Sequence, residues 1–361
     1  MPIEFGYWAP NLGTSLVATR INNHTRGTFA ANREYAQIAE HNGFKYTLLA
    51  TRFVSSLEGN EGTYDSMVMA AAIAAVTTQL VPIVAVATGL AHPAIVAKQL
   101  VTLDEISQGR AAVNVVSGWL KDEYTALGEP WLEHGERYRR TEEFIEVLRA
   151  TWADGQAEYA GDFFRLRNAD FRPKPRPGAI PVFQGGNSVA AREMAARQSD
   201  FYFMNGAPLD SLREHIAHVK ALAAQQNRTV RFAVNAFVIS RPTEAQAREV
   251  LEAIIENADI EVVERFRKNV QHAGQATIEK QGMWAESRFE DLIQFNDGFK
   301  TGLIGTPEQI AERITALTEI GVDMLLAGFL HYDDELLEFG REVIPLVWQL
   351  AQARSLQGPE T

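Results

Sequence analysis

Short apolar runs alternate with segments of helical periodicity from one end of the chain to the other. The runs Ile3–Ala9, Tyr46–Ala50, Val81–Ala87, Ala111–Val116, Pro181–Gln184, Asp200–Met204, Arg231–Ser240 and Asp323–Ala327 are rich in β-branched and aromatic residues. Such short, nearly continuous apolar runs predict strands covered on both faces, as in a parallel sheet. Amphipathic patterns predict helices over Thr28–Asn42, Tyr64–Gln79, Pro93–Ser107, Tyr138–Ala153, Ser188–Gln198, Leu209–Gln225, Glu244–Glu256, Pro307–Ile320 and Asp333–Ala353. Strands separated mostly by single helices predict an α/β fold, a (β/α)8 TIM barrel with insertions, as one domain over residues 1–361. An open doubly wound sheet is the runner-up, but the Gly-x-Gly-x-x-Gly turn common there is absent.

Local punctuation agrees with these boundaries. Pro93 suits a first helical turn, where its missing N–H costs little. Gly109 stands where a helix ends in a left-handed residue. Thr306-Pro307-Glu308-Gln309 places a cap, a first-turn proline and a capping-box Gln in order. Two segments exceed a minimal barrel. Residues 158–177 predict a hairpin, and residues 257–303, with Trp284, Arg288 and Lys300, predict a lid. The uncharged stretch Ser66–His92 is interrupted by Thr77-Thr78-Gln79 and Pro82, so a helix followed by a buried strand explains it better than a membrane span.

Composition narrows the partners. Against 34 Lys and Arg stand 46 Asp and Glu, a net charge of −12, which argues against nucleic acid and anionic membrane surfaces. The absence of cysteine excludes disulfides, thiolate metal sites and Cys nucleophiles. The first residues show no basic stretch ahead of an apolar run, so a cytoplasmic protein is expected.

Candidate chemistry gathers at predicted strand ends. Val182-Phe183-Gln184-Gly185-Gly186-Asn187-Ser188 runs a strand through two glycines into a helix N-terminus. Such a turn cradles phosphate through free N–H groups, and it equally serves as a plain βα turn with an N-cap. His134 and Tyr138 are four apart and share a helix face, either toward the same phosphate or simply as a capped helix start. The sequence there is not His-Glu-x-x-His, and His215 and His218 read as an incidental pair, so no metal is expected. His331, just past the last strand, suits a base or a helix cap. Tyr7, Trp8, Phe53, Phe201, Phe237 and Phe329 lie near strand ends, as pocket walls for a flat ring or as core.

Several stretches together resemble the bacterial-luciferase-like FMNH2-dependent monooxygenases over essentially the whole chain. They are Phe5-Gly6-Tyr7-Trp8-Ala9-Pro10-Asn11, Ala91-His92-Pro93, Thr102 through Arg110, Asn114-Val115-Val116-Ser117-Gly118-Trp119, His134-Gly135-Glu136-Arg137-Tyr138, Gly185-Gly186-Asn187-Ser188 and Gly305-Thr306-Pro307. The resemblance implies reduced FMN delivered by a separate NAD(P)H-dependent flavin reductase, O₂ as co-substrate, and a homodimer or homotetramer. It implies that Tyr138 and Gly185, Gly186, Asn187 and Ser188 hold the FMN phosphate. Ala85, Asn114, Ser117 and His134 would line the flavin, with a bulge and a non-proline cis peptide at Val84–Ala85. Sulfonate-oxidising members carry Arg and His where this chain has Asn235 and Phe237, Tyr where it has Phe329, and His where it has Leu12. A neutral sulfone, dimethylsulfone, is therefore the expected substrate, oxidised to methanesulfinate and formaldehyde. Asn11, Asn235 and His331 are the expected polar catalytic contacts, and Trp8, Phe53, Phe237 and Phe329 the expected substrate pocket. The competing readings are an alkanesulfonate or methanesulfonate monooxygenase, a deazaflavin-dependent oxidoreductase, and a flavin-binding protein without turnover.

Overall fold

A computed structural model describes residues 3–22, 25–54, 62–176, 180–275, 284 and 287–357. Pro177 of the expected hairpin, and residues 276–283 and 285–286 of the expected lid, lie outside the described residues. The strands are β1 (Glu4–Ala9), β2 (Tyr46–Leu49), β3 (Val81–Ala87), β4 (Ala112–Val116), β5 (Ala157–Ala160), β6 (Arg165–Ala169), β7 (Val182–Gly185), β8 (Phe201–Met204), β9 (Arg231–Phe237), β10 (Ile239–Ser240), β11 (Ile304–Gly305) and β12 (Met324–Gly328). Eight of them close into a barrel in the order β1-β12-β9-β8-β7-β4-β3-β2, every pair parallel. β5 and β6 pair antiparallel as a separate hairpin, and β10 with β11 forms a small parallel pair beside the barrel.

Alternation along the strands separates two cores. On β1 and β12, Phe5, Tyr7, Ala9, Leu325, Ala327 and the following Phe329 pack outward into the layer between barrel and helices. Trp8, Leu48, Ile83, Phe183, Phe201, Phe203 and Leu326 fill the interior. Inward Arg231 plugs the N-terminal end, paired with Glu4 at 2.7 Å and lying 4.4 Å over the Phe201 ring. The charge-free stretch 66–92 divides into a helix, Ser66–Ala74, and the buried strand β3, and no helix among the described residues is long and apolar enough to cross a membrane.

Some boundaries differ from the sequence expectation. The fourth predicted helix begins earlier, at His134 rather than Tyr138, and an additional helix covers Lys121–Leu127. The seventh predicted strand breaks at Val238, where the chain leaves β9 to pair β10 with β11. β3 runs in continuous register with β4 through Val84 and Ala85, and the only cis peptide among the described residues is Arg172–Pro173, which corrects the expected bulge and cis bond at Val84–Ala85.

Candidate active site

The C-terminal ends of the barrel strands open into a cavity. Its floor is made by inward positions at the strand ends, among them Trp8, Ala85, Asn114, Gly185 and Phe203. Its roof comes from segment 257–303: Phe266 on the helix Ile260–Gln275, together with Trp284 and Phe295. Trp119 meets the Phe266 and Trp284 rings at 5.6 Å each, and Phe266 lies 4.8 Å from Phe295. The Trp284 indole N–H donates to the Phe295 carbonyl at 2.8 Å, so the roof is fastened to itself. Truncating a ring as buried as Phe266 costs about 3–5 kcal/mol, which makes this cluster the anchor of the roof.

At one end the floor runs into the glycine turn. Gly186 has φ +131°, and a Cβ there would lie 2.5 Å from the Tyr138 hydroxyl and 2.8 Å from the Ala191 Cβ. Ser188 caps the helix Val189–Gln198 by accepting from the Ala191 N–H at 3.2 Å. Tyr138 reaches the turn from the helix His134–Trp152, with its hydroxyl beside Gly186. Burial pushes the Tyr138 phenol up, which keeps its hydroxyl protonated as a donor. From behind, the Tyr202 hydroxyl donates to the Gly186 carbonyl at 2.5 Å. The Asn187 Oδ1 is buried without a partner among the described residues. A helix N-terminus with two hydroxyls and a bare glycine is a place for an anion.

The middle of the floor suits a flat ring with polar edges. Asn114 is 7% exposed, lines the cavity, and leaves its Oδ1 without a partner among the described residues. Ser117 accepts from Thr141 at 2.9 Å, and Thr141 in turn is 2.8 Å from Thr88. His134 stands one helical turn before Tyr138, with ring centroids 5.0 Å apart, and is not among the lining residues. Thus Trp8, Ala85, Asn114, Ser117, Tyr138, Gly185 and Trp284 are brought to one cavity, with Gly186, Asn187 and Ser188 at its end.

Other expected residues stand elsewhere, for identifiable reasons. The Asn11 amide N–H₂ donates to the carbonyls of Ala50 at 2.8 Å and Tyr64 at 3.1 Å, so it clips two loops together. Asn235 is taken up by Trp8 Nε1 at 2.7 Å and by the Asn296 carbonyl at 2.9 Å, behind the cavity wall. Phe237 is fully buried against Phe299, and Phe329 follows the outward alternation of β12 into the barrel–helix layer. Phe53 is 46% exposed and outside the cavity. His331 precedes the helix Tyr332–Glu338 and borders a separate acidic hollow with Asp334, Glu335, Glu338 and Glu342. Arg288 has its side chain 79% exposed, and Lys300 is held by Ser287 at 2.9 Å and Asp297 at 3.3 Å. Neither lines the cavity. His218 lies 3.0 Å from Arg192, and no group of three metal-ligating side chains occurs among the described residues.

Sequence reasoning missed Arg52, Glu123, Phe203, Asn205 and Phe266, all of which line the cavity. Arg52 stacks 4.6 Å over the Trp119 ring. Phe203 and Asn205 share the inward alternation of β8 with Phe201, a signal that strand counting would have caught.

Asp297, at φ +55° beneath the roof, carries the one carboxyl here with a large shift. Burial pushes it from 3.8 up to about 6, against the opposing pull of Lys300 and Ser287. A raised folded-state value means this group's contribution is most favourable below about pH 4 and is lost as pH rises through 6. Asp297→Asn removes that loss, and Asn tolerates the left-handed backbone. The variant is expected to gain on wild type by up to about 3 kcal/mol between about pH 3 and 7.5, read as a growing difference in Tm. A difference that does not change with pH would count against it.

Comparison with known proteins agrees with this geometry. Residues 3–324 match the luciferase-like monooxygenase family. The chain is 49% identical over 354 residues, 98% of its own length and 97% of the relative's, to an FMNH2-dependent dimethylsulfone monooxygenase of Pseudomonas putida. It is 48% identical to a protein of the same description from Pseudomonas fluorescens (strain Pf0-1), covering 99% of this chain and 98% of that one. In fold it superposes on the crystal structure of DmoA from Hyphomicrobium sulfonivorans with a TM-score of 0.82 at 17% identity, covering 97% of this chain and 89% of that one. The chain belongs to the luciferase-like monooxygenase family.

Proposed function

We propose that this protein is the oxygenase component of a two-component system that oxidises dimethylsulfone with reduced FMN and O₂. The products are methanesulfinate, formaldehyde, FMN and water. The observation that carries the reading is the near-full-length identity of 49% to a dimethylsulfone monooxygenase, joined to a cavity whose residues suit both a flavin phosphate and a small, mostly apolar molecule.

Bound reduced FMN supplies the two electrons and the oxygen activation. The chain's own residues bind, orient and exclude water. The Gly185–Ser188 turn and Tyr138 hold the phosphate through N–H and hydroxyl donors, each charge-assisted bond contributing roughly 1.5–3 kcal/mol. Ala85 leaves room for a ring on the floor, and the Asn114 Oδ1 accepts from a ring N–H or a ribityl hydroxyl. Trp8, Phe203 and the roof rings Phe266, Trp284 and Phe295 enclose the methyl groups. Their closeness keeps water from the reacting carbon. One oxygen atom enters a methyl C–H bond. The hydroxymethyl sulfone then loses its O–H proton, forms the formaldehyde C=O, and breaks its C–S bond, the electron pair leaving with sulfinate.

Segment 257–303 serves in this reading as a lid, with the Trp284 cluster as its inner face. Reduced FMN comes from a separate NAD(P)H-dependent reductase in the cytoplasm, and the oxygenase works as a homodimer or homotetramer. Protein loaded anaerobically with reduced FMN and mixed with O₂ and dimethylsulfone is expected to yield formaldehyde and methanesulfinate in equal amounts, with a burst of hydrogen peroxide when the sulfone is omitted. Flavin oxidation that forms peroxide equally with and without the sulfone, and no formaldehyde, would refute the assignment.

A further inference from the structure

We infer that Asn205 donates the hydrogen bond that recognises a sulfone oxygen and thereby sets substrate specificity. The inference rests on the dimethylsulfone reading above. Asn205 directly follows β8 and continues its inward alternation after Phe201 and Phe203. It is 4% exposed and lines the cavity. Both its Nδ2 and its Oδ1 are without a partner among the described residues. A buried amide left unpaired is unfavourable, and native chains pair nearly all of them. An amide in the wall of a cavity with both atoms unpaired is therefore arranged for a ligand.

Several neighbouring polar groups are already engaged. The indole N–H of Trp8 is taken by Asn235, and that of Trp284 by the Phe295 carbonyl. The amide N–H₂ groups of Asn11 and Asn235 are bound to backbone carbonyls. Asn114 brings a second amide to the cavity, and its orphaned Oδ1 is an acceptor that suits a ring N–H and finds no donor on a sulfone, which places Asn114 with the flavin in this reading. Asn205 adds a primary amide donor to a cavity whose lining includes the rings of Trp8, Phe203, Phe266, Trp284 and Phe295. The backbone beside it is fixed, for the Gly206 N–H donates to the Asn296 carbonyl at 2.9 Å. A sulfone so placed has its methyl groups against the aromatic rings and an oxygen on Nδ2. Dimethyl sulfide has the same methyl groups and no oxygen, so it gains nothing from Asn205.

Asn205→Leu keeps the volume and removes the donor, and Asn205→Ser restores a shorter one. The measurements are the calorimetric Kd for dimethylsulfone on anaerobic protein loaded with reduced FMN, the Kd for reduced FMN itself, kcat and KM, and the Tm of the ligand-free protein. Asn205→Leu is expected to raise the sulfone Kd and KM by about tenfold or more, with the FMN Kd within about twofold of wild type by the same reasoning. Asn205→Ser should recover part of the loss. The Tm of the free Asn205→Leu protein should be unchanged or higher, because the side chain has no protein partner to lose. An unchanged sulfone Kd overturns the inference, as does a loss of FMN affinity in its place, which would make Asn205 a flavin contact. A lower Tm with both affinities reduced assigns Asn205 a structural role and overturns it too. If wild type neither binds nor oxidises dimethylsulfone, the functional reading fails and takes this inference with it. That outcome is read in the wild type alone.

Discussion

Replacing Gly186 by alanine is expected to weaken reduced-FMN binding at least about a hundredfold, near 2.7 kcal/mol. Two effects combine at this position. The backbone sits at φ +131°, a region that residues with a side chain rarely adopt. The new methyl would also lie 2.5 Å from the Tyr138 hydroxyl and 2.8 Å from the Ala191 Cβ, so it displaces one phosphate donor and pushes on the first turn of the helix that supplies the others. Gly128 separates these effects. It has φ +75° at a helix end, and a methyl group added there would meet nothing within 4 Å, so Gly128→Ala carries backbone strain alone. Both variants should lose some thermal stability, and only Gly186→Ala should lose FMN affinity, measured by anaerobic titration. Comparable FMN Kd values for Gly186→Ala and wild type would remove the phosphate from this turn.

Much of this arrangement is written in local pattern. The glycine turn into Val189–Gln198, the capping box at Thr306 and the two-sided burial of the strands follow from backbone chemistry that a sequence displays directly. The helix Ile260–Gln275 has an equally legible signal, hidden by its polar surroundings. Val263, Phe266 and Val270 are buried at spacings of three and four, a helical stripe inside what reads by composition as a polar insertion. The misplaced pocket residues share another cause. Nearness to a strand end suggests Phe329 as a pocket wall, whereas the alternation from Leu325 through Ala327 sends it outward. Counting in twos from Trp8 or Phe203 picks the cavity side correctly. What no local pattern contains is which amides are already satisfied. Asn235 is paired with Trp8 across 227 residues and Asn205 is not paired at all among the described residues, and only tertiary placement distinguishes them.

Dimethylsulfone is expected to be turned over at least about a hundredfold more efficiently than methanesulfonate, a gap of about 2.7 kcal/mol in transition-state stabilisation. A sulfonate carries a full charge, and burying it without a partner costs several kcal/mol. Among the described residues the cavity has one cationic lining residue, Arg52, and with it the buried carboxylate Glu123, so that wall is not net positive. Arg288 and Lys300 of segment 257–303 do not change this. Arg288 extends into solvent, and Lys300 is bound to Ser287 and flanked by Asp291 at 3.6 Å and Asp297 at 3.3 Å. A neutral sulfone meets no such penalty and needs only a hydrogen-bond donor. The decisive comparison is kcat/KM for both substrates at saturating reduced FMN. Glu123→Gln extends it. The Glu123 Oε1 accepts from the Phe53 N–H at 2.8 Å, and the Gln carbonyl oxygen can keep that bond while removing the charge that offsets Arg52. The variant is expected to narrow the gap by about tenfold, through better use of methanesulfonate. Equal efficiencies in wild type would mean that Arg52 already acts as an uncompensated cation and that the preference for a neutral substrate is misassigned.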